Sequence, residues 1–230
     1  MAAEEKTGPT AKLDKFHQEL ADLKEMLLKL AQLSEQALDR SMAALWHRDQ
    51  DLARQVIAGD KAINDQEESI DAECVRLIAL YQPVAIDLRQ VMAVDHLIVE
   101  LERLGDLAVN IAEEALYMTQ LPPRELKAEL PRMAEMVRTM VRQSLTAFLN
   151  QDVKLAREVC KADDEVDELD RTIIQALLTD MAGNPEAVAF GQSQINVVRN
   201  LERSGDHATN IAEQVVYMVE GESIRHRCQG

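Results

Sequence analysis

A duplicated segment constrains the fold of this chain more than any other feature of its sequence. Residues 101–113 and 201–213 are identical at ten of thirteen positions, at a constant offset of 100. Upstream, residues 52–56 match residues 155–159 at an offset of 103, so a three-residue difference must fall in a turn between the two matches. A unit this long is not a short solenoid repeat. Two copies of it fill the 230 residues, which predicts a duplicated subdomain.

Each copy divides into three stretches of helical apolar spacing, separated by residues that end helices. Pro131 lies inside the fourth stretch, so that helix either starts late or is kinked. Helices of this length joined by short turns pack antiparallel. We therefore expect an all-α protein of two tandem three-helix bundles with six long helices. The expected helices cover about 13–46, from the break at 47–51 to about 80, and then 86–118, 125–149, 153–181 and 187–219.

The same pattern predicts the domain boundaries. Two consecutive prolines mark the seam between the copies. The first ten residues carry charges and no apolar run, so they are not a signal peptide. No stretch approaches the roughly 20 apolar residues that span a bilayer. The chain is expected to be cytoplasmic, with a tail at 1–10, a first bundle at 11–121, a second bundle at 122–220 and a tail at 221–230.

Charge and cysteine content exclude several classes of function. The formal net charge is −16, so the surface would repel nucleic-acid phosphates. Cys74, Cys160 and Cys228 are scattered and form no Cys-x-x-Cys pair. This spacing fits neither a disulfide framework nor a structural zinc site, and it is typical of a reducing compartment. Cys74 and Cys160 are expected in the core, and the single tryptophan, Trp46, at the end of a bundle.

Polar residues form a row on the third helix of each copy, roughly opposite its apolar stripe. An ordinary solvated face is the simplest interpretation. Against it, carboxylates four residues apart repel each other. Gly105 and Gly205 also lie within the rows, where a mid-helix glycine costs about 1 kcal/mol relative to alanine. Such a glycine is tolerated where a neighbouring backbone or a ligand comes close. The rows comprise Glu102, Asp106, Asn110 and Glu113, and Glu202, Asp206, Asn210 and Glu213.

The preceding helix of each copy carries matching oxygen side chains. Asp60 and Asn64 are four residues apart on the second helix, and Asp163 and Asp167 are four apart on the fifth. Antiparallel packing would place each pair beside the acidic row of the next helix. Four converging oxygen side chains suit hard cations such as Mg²⁺, Mn²⁺, Ca²⁺ or iron. The sequence therefore predicts a surface metal site on each copy.

These motifs resemble those of a known family. The segments 102–106 and 202–206 (E-R-x-G-D) resemble the E(D)-x-x-x-D motifs of the PhoU family, and 163–167 is similar to the companion motif. Residues 82–92, Q-P-V-A-I-D-L-R-Q-V-M, resemble the Q-P-x-x-x-D-L-R segment of that family. With the duplication and the length, the resemblance covers nearly the whole chain. It implies two three-helix bundles, each with a multinuclear metal site, in a typically dimeric protein.

The resemblance also implies a set of ligands and ions. The ions would be magnesium, manganese, iron or zinc, and Asn64 would bring an oxygen without a charge. The implied ligands are Asp60, Asn64, Glu102, Asp106, Asp163, Asp167, Glu202 and Asp206. The possible accessory ligands are Asn110, Glu113, His207, Asn210 and Glu213.

The function implied by the family is negative regulation of phosphate uptake and of the phosphate-starvation response. The implied partners are the ATPase subunit of a phosphate ABC transporter and a membrane sensor histidine kinase. The protein would be a homodimer that meets the membrane only through these partners, would not bind nucleic acid, and would not be an enzyme.

Three alternatives remain open at this stage. A metal-free helical adaptor would use the acidic rows only for docking, and a paralogue would regulate another anion transporter. A carboxylate-bridged di-iron enzyme would need Glu-x-x-His motifs, and no histidine here has a glutamate three residues before it. The phosphate-binding and hydrolase motifs of common enzymes are also missing from the sequence.

Overall fold

The computed structural model describes residues 9–221, and within that range the chain is helical and contains no strand. The all-α prediction with six long helices is confirmed. The expected tails fall largely outside the described residues, as does Cys228. No helix within 9–221 is both long and apolar enough to cross a membrane. The elements are α1 (Pro9–His47), α2 (Gln50–Tyr81), α3 (Ala85–Met118), α4 (Leu130–Asn150), α5 (Val153–Gly183), a 3₁₀ turn (Pro185–Ala187) and α6 (Val188–Glu220).

Local signals account for most helix boundaries. The side chains of Asp49 and Asp152 accept hydrogen bonds from the backbone N–H of Leu52 and Leu155, both at 3.0 Å, and so cap α2 and α5 at matching places. The fourth stretch begins at about residue 125, and of the two expectations for its helix, a late start or a kink at Pro131, the late start is confirmed. Because proline fits only the first turn of a helix, α4 begins late, at Leu130, with Pro131 in that first turn.

The helices form two three-helix bundles. Helices α1, α2 and α3 pack on one another, as do α4, α5 and α6, and the long contact between α3 and α6 joins the bundles. The α3 stripe predicted from the sequence is buried throughout, and so is its counterpart on α6. Both helices also bury residues outside the stripe, because each packs against the other as well as within its own bundle. Cys74 and Cys160 lie in the core, as expected.

Two arginines satisfy carbonyl groups at helix ends. Arg89 of α3 donates from Nε to the carbonyl of Met218 at 3.0 Å, which ties the first bundle to the end of α6. Arg48 donates to the carbonyls of Met118 and Leu121 at 2.7 and 3.0 Å, at the end of α3. Cations are favourable at helix carboxyl ends, where backbone carbonyls lack helical partners. Arg89, the arginine of the Q-P-V-A-I-D-L-R segment, therefore has a structural role.

Candidate metal-binding grooves

The acidic rows of α3 and α6 each lie beside the preceding helix of their own bundle. We call the surface shared by α2 and α3 the first acidic groove, with Asp60, Asn64, Glu102 and Asp106. We call the surface shared by α5 and α6 the second acidic groove. Its members are Asp163, Asp167, Glu202 and Asp206. In the first groove the charges of Asp60 and Asp106 act on Glu102, and in the second groove those of Asp163, Asp167 and Asp206 act on Glu202, so the predicted carboxylates of each groove lie near one another.

The row glycines allow this close approach. A Cβ on Gly105 would lie 2.8 Å from Cδ1 of Ile63 and 3.7 Å from Oδ1 of Asp60. A Cβ on Gly205 would lie 3.3 Å from Oδ1 of Asp163. This geometry agrees with the expectation that a neighbouring group comes close to each of these glycines. At Gly105 all the approaching atoms belong to side chains of the preceding helix, whereas at Gly205 Met140 of α4 also comes within 3.7 Å.

The second groove concentrates negative charge. Partial burial raises the pKa of Glu202 to about 7, helped by the charge of Asp206. Burial raises the pKa of Asp163 to about 6, again with Asp206 the foremost charged contributor. Like charges within a few ångströms disfavour ionisation. Asp163 and Glu202 therefore bind a proton more readily than ordinary carboxyl groups do.

The first groove shows a weaker version of the same effect. Burial raises the pKa of Glu102, and the charges of Asp106, Glu67 and Asp60 add to the shift. Asn64 donates from Nδ2 to Oδ2 of Asp60 at 3.0 Å. In the second groove the corresponding residue is Asp167, a carboxylate, so the second groove carries one more formal negative charge among these pairs.

Two buried oxygens of the first groove and one on α5, beside the second groove, make no hydrogen bond. They are Oδ1 of Asp60, Oδ1 of Asn64 and Oδ1 of Asp170. Buried polar oxygens are ordinarily paired, so each of these can accept a proton donor or a cation. All three lie on α2 or α5, the helices that face the acidic rows.

Arginines occupy part of each groove. Arg103 lies 3.1 Å from Oδ2 of Asp106 and 3.5 Å from Oε2 of Glu102. Arg171 lies 3.1 Å from Oδ2 of Asp167. Within residues 9–221, no three His, Cys, Asp or Glu side chains are placed to hold one ion. Exposed arginines thus compensate part of the negative charge of each groove.

The accessory residues lie mainly at the junction between the bundles. His207 Nδ1 is 2.6 Å from Oε2 of Glu100, and Asn210 donates to the same oxygen at 3.0 Å. Asn110 donates to Asn200 at 3.5 Å across the same α3–α6 contact. Glu113 lines a shallow groove there that Asn110 and Glu202 also line, while Glu213 is half-buried on α6. His207 and Asn210 therefore contact Glu100 of α3, and His207 also lies near enough to Asp206 to oppose the rise that burial causes in the pKa of that carboxyl.

Sequence reasoning missed one carboxylate in each groove. Glu67 contributes to the raised pKa of Glu102, and Asp170 contributes to that of Glu202. Glu67 lies seven residues after Asp60, and Asp170 lies seven residues after Asp163, at positions that match with the upstream offset of 103. Seven residues are two helical turns, so each lies on the same face as Asp60 or Asp163. Extending the repeat comparison by one turn would have found them.

The fold and these grooves define a class of protein, a duplicated helical-bundle protein with an acidic groove on each half. The family model described as "PhoU domain" matches residues 27–115 and again 130–215. The PhoU homolog of Aquifex aeolicus is 39% identical over 213 residues, covering 93% of this chain and 96% of that protein. Escherichia coli PhoU, a phosphate-specific transport system accessory protein, is 34% identical over 211 residues, covering 92% and 88% of the two chains.

A solved structure shows the same similarity to PhoU proteins. The crystal structure of PhoU from Pseudomonas aeruginosa superposes with a TM-score of 0.86 at 38% identity, covering 90% of this chain and all of that one. The chain belongs to the PhoU family.

Proposed function

We propose that this chain is an accessory regulator of phosphate-specific transport, which represses phosphate uptake and the phosphate-starvation response when phosphate is plentiful. The main support for the proposal is that both halves of the chain match the family. Relatives that are similar over nine-tenths of the chain are named as accessory proteins of that transport system. Family members are accessory proteins and no catalytic activity is indicated for them, which favours a binding function over an enzymatic one.

The regulation would proceed by protein contacts in the cytoplasm. The proposed partners are the ATPase subunit of the transporter and the membrane sensor histidine kinase, and the proposed assembly is a homodimer. A helical protein with no membrane-crossing helix among its described residues would reach the membrane through these partners.

A metal ion is proposed for each acidic groove. The donors are all oxygen atoms, which suits magnesium, manganese or iron better than a soft ion, and zinc remains a candidate. The unpaired oxygens of Asp60, Asn64 and Asp170 support the fit. The ion would compensate the repelling carboxylates and fix the spacing of α2 to α3 and of α5 to α6. Arg103 and Arg171 would turn away to release their carboxylates.

The experiment compares a phosphate-starvation reporter, in cells given ample phosphate, with and without this gene. Deletion is expected to raise reporter activity, and restoration of the gene to lower it. The variant Asp106→Ala with Asp206→Ala should restore repression poorly, whereas the exposed pair Asp22→Ala with Glu158→Ala should restore it fully. An unchanged reporter on deletion would contradict the proposed response and favour a paralogue that regulates another anion transporter.

A metal-free adaptor is the second candidate, and the pairing of Arg103 and Arg171 with the groove carboxylates favours it. Equilibrium dialysis at physiological ionic strength separates the two. No bound divalent ion or iron, together with full repression by the double Asp→Ala variant, would establish the adaptor.

A further inference from the structure

The contact between α3 and α6 has two ends that the duplication relates to each other. The helices run antiparallel, because Glu100 of α3 meets Asn210 of α6 while Asn110 of α3 meets Asn200 of α6. With the offset of 100 between the copies, the first of these pairs corresponds to the second. We call these places the Glu100 end and the Asn200 end, and they can be compared residue by residue.

Protein groups complete the Glu100 end. The Glu100 carboxylate accepts a hydrogen bond from Asn210 at 3.0 Å and lies 2.6 Å from Nδ1 of His207. Arg103, the counterpart of Arg203, pairs with carboxylates of its own helix. An oxyanion is therefore bound at this end, and the chain itself supplies it.

The Asn200 end lacks that carboxylate. Asn200 stands in the place of Glu100, and Asn110 reaches its Oδ1 only at 3.5 Å, which is long for a hydrogen bond. Leu107, the counterpart of His207, is buried and offers no polar group. An open pocket of about 400 Å³ lies here, and all of its lining residues are asparagine, glutamate or arginine. This junction pocket suits a small hydrophilic ligand, since it has no apolar surface for a helix or aromatic surface for a nucleobase.

The two arginines of the junction pocket are unpaired. Arg199 and Arg203 are exposed and four residues apart on α6, so their side chains are neighbours. Within the part of the chain that the structure describes they make no hydrogen bond or ion pair, whereas every other arginine there makes at least one. Their charges act only at longer range, where they oppose the rise that burial causes in the pKa of Asp170 and Asp206. Val99 stands in the place of Arg199 in the first copy, so this arginine pair belongs to the Asn200 end alone.

Carboxylates in the same pocket restrict which anion can bind. Glu114 accepts a hydrogen bond from Asn196 at 2.6 Å, while Glu113 is exposed and Glu202 is half-buried. A carboxylate repels an anion that has only acceptor oxygens, but it accepts a hydrogen bond from an anion that carries an O–H group. Sulfate and a fully ionised phosphate ester carry no such proton, whereas hydrogen phosphate does. The lining therefore favours hydrogen phosphate, because the other two anions would leave the carboxylates opposed.

We propose that the junction pocket binds inorganic phosphate, in the place that corresponds to the Glu100 carboxylate at the other end. Arg199 and Arg203 donate to its charged oxygens, Asn110 donates to another oxygen, and Glu113 accepts its O–H. Guanidinium groups make charge-assisted hydrogen bonds that match the geometry of phosphate. Because the arginines are exposed and carboxylates lie beside them, the expected binding is weak, with a dissociation constant on the order of 1 mM.

The inference deepens the proposed function by naming an ion that the regulator would bind directly, and it rests on that function only for the role of the binding. Binding to the purified chain can fail while the reporter still responds to deletion. It can also succeed in a chain that regulates another transporter. The two failures are therefore distinguishable.

The test is isothermal titration of the full chain at pH 8, with a chelator and at constant ionic strength. The probes are inorganic phosphate, methyl phosphate and sulfate. Saturable binding of inorganic phosphate is expected, with the other two anions about tenfold weaker or more. Glu113→Gln should narrow this difference, because an amide can donate to an anion that carries no proton. Glu158→Gln, which changes an exposed carboxylate of α5, is the control and should preserve the difference.

Arginine variants locate the binding. Arg199→Gln with Arg203→Gln should weaken the affinity for inorganic phosphate about tenfold or more, because both charge-assisted donors are lost. Arg132→Gln with Arg157→Gln removes the same charge from exposed ion pairs elsewhere and should leave the affinity nearly unchanged.

A further variant uses the comparison of the two ends. Asn200→Glu gives the Asn200 end the carboxylate that Glu100 gives the other end, so it should abolish phosphate binding although both arginines remain. Asn150→Glu adds the same charge at the exposed end of α4 and should leave phosphate binding intact.

Four results would overturn the proposal. One is the absence of saturable phosphate binding by the wild type, and another is binding of sulfate as tight as that of phosphate. The third is equal binding by the two double-arginine variants, or by Asn200→Glu and Asn150→Glu. The fourth is a wild-type dimer in sedimentation that Arg199→Gln with Arg203→Gln converts to a monomer, since the arginines would then meet carboxylates of a second copy.

Discussion

Gly205 of α6 faces Asp163 of α5 so closely that a Cβ on the glycine would lie 3.3 Å from Oδ1 of the aspartate. A Cβ at this distance would require the carboxylate to move by a few tenths of an ångström. In the first copy, the position of Gly105 is opposite Ile63, at 2.8 Å from Cδ1. The equivalent glycine therefore leaves room for a carboxylate in the second groove and for a core side chain in the first.

The first prediction follows from the contact at Gly105. Gly105→Ala should destabilise the protein by about 1–3 kcal/mol, because Ile63 is buried and must shift to admit the methyl group. Gly59→Ala is the matched control, since it also lies within a helix but nothing stands within 4 Å of the place where its methyl group would lie. It should stabilise the protein by about 0.5–1 kcal/mol through helix propensity. Urea unfolding of both variants measures the difference, and stabilisation by Gly105→Ala would contradict the close contact.

Much of this arrangement could be predicted from the sequence. The repeat, the apolar spacing and the prolines were sufficient to predict six helices in two bundles. Because a glycine in the middle of a helix is unfavourable, it was sufficient to predict a close neighbouring group at Gly105 and Gly205. Which atoms approach each glycine could not be predicted, because the rotation of α2 and α5 about their axes depends on packing with the whole bundle.

The packing of α3 against α6 could not be predicted from patterns in the sequence. A single apolar stripe predicted one buried face, yet Leu107 is buried as well because α6 covers a second face of α3. At the corresponding place in the second copy, His207 meets Glu100. A spacing of residues along one helix carries no information on a partner a hundred residues away.

The second prediction concerns pH in the metal-free protein. The pKa of Glu202, raised to about 7 by burial and by Asp206, exceeds its ordinary value of about 4.3. The folded state then binds more protons than the unfolded state between about pH 4 and pH 7, so stability falls as pH rises through that window. Glu202→Gln should remove much of this fall. Because the side chain is partly exposed and screened, the expected gain at pH 8 is about 1 kcal/mol, or about 2–4 °C in Tm.

Thermal unfolding in the presence of a chelator, at pH 5 and at pH 8, measures this effect. Glu158→Gln, which removes an exposed carboxylate of α5, serves as the control and should leave the pH dependence unchanged. A Glu202→Gln variant with the same loss of stability between the two pH values as the wild type would show that Glu202 is not the group responsible.

The third prediction uses the difference between the two grooves. Asn64→Asp gives the first groove the carboxylate that Asp167 gives the second, and it removes the hydrogen bond that Asn64 donates to Asp60. We expect about tenfold tighter binding of a divalent ion in the first groove, with lower stability of the metal-free protein. Isothermal titration with Mn²⁺ measures the affinity, and chelated samples measure the stability.

The reciprocal variant, Asp167→Asn, should weaken binding in the second groove and raise metal-free stability. Asn150→Asp, an added charge at the exposed end of α4, controls for net charge alone. Equal effects of Asn64→Asp and Asn150→Asp on Mn²⁺ affinity would mean that the first groove does not bind the ion.

The last prediction concerns the arginines at the helix ends. Arg89→Gln removes the charged hydrogen bond to Met218 and should cost about 1–3 kcal/mol. Since this bond joins the two bundles, its loss should also weaken their cooperativity. Arg48→Gln removes comparable bonds at the end of α3, but within the first bundle and its following turn, so it should lower stability while leaving one transition.

In urea, Trp46 fluorescence reports the first bundle and far-ultraviolet circular dichroism reports all helices. The two probes should give separate midpoints for Arg89→Gln and coincident ones for Arg48→Gln, because coincidence of probes is the mark of a two-state transition. Coincident midpoints in both variants would show that the rest of the α3–α6 contact is sufficient to couple the bundles.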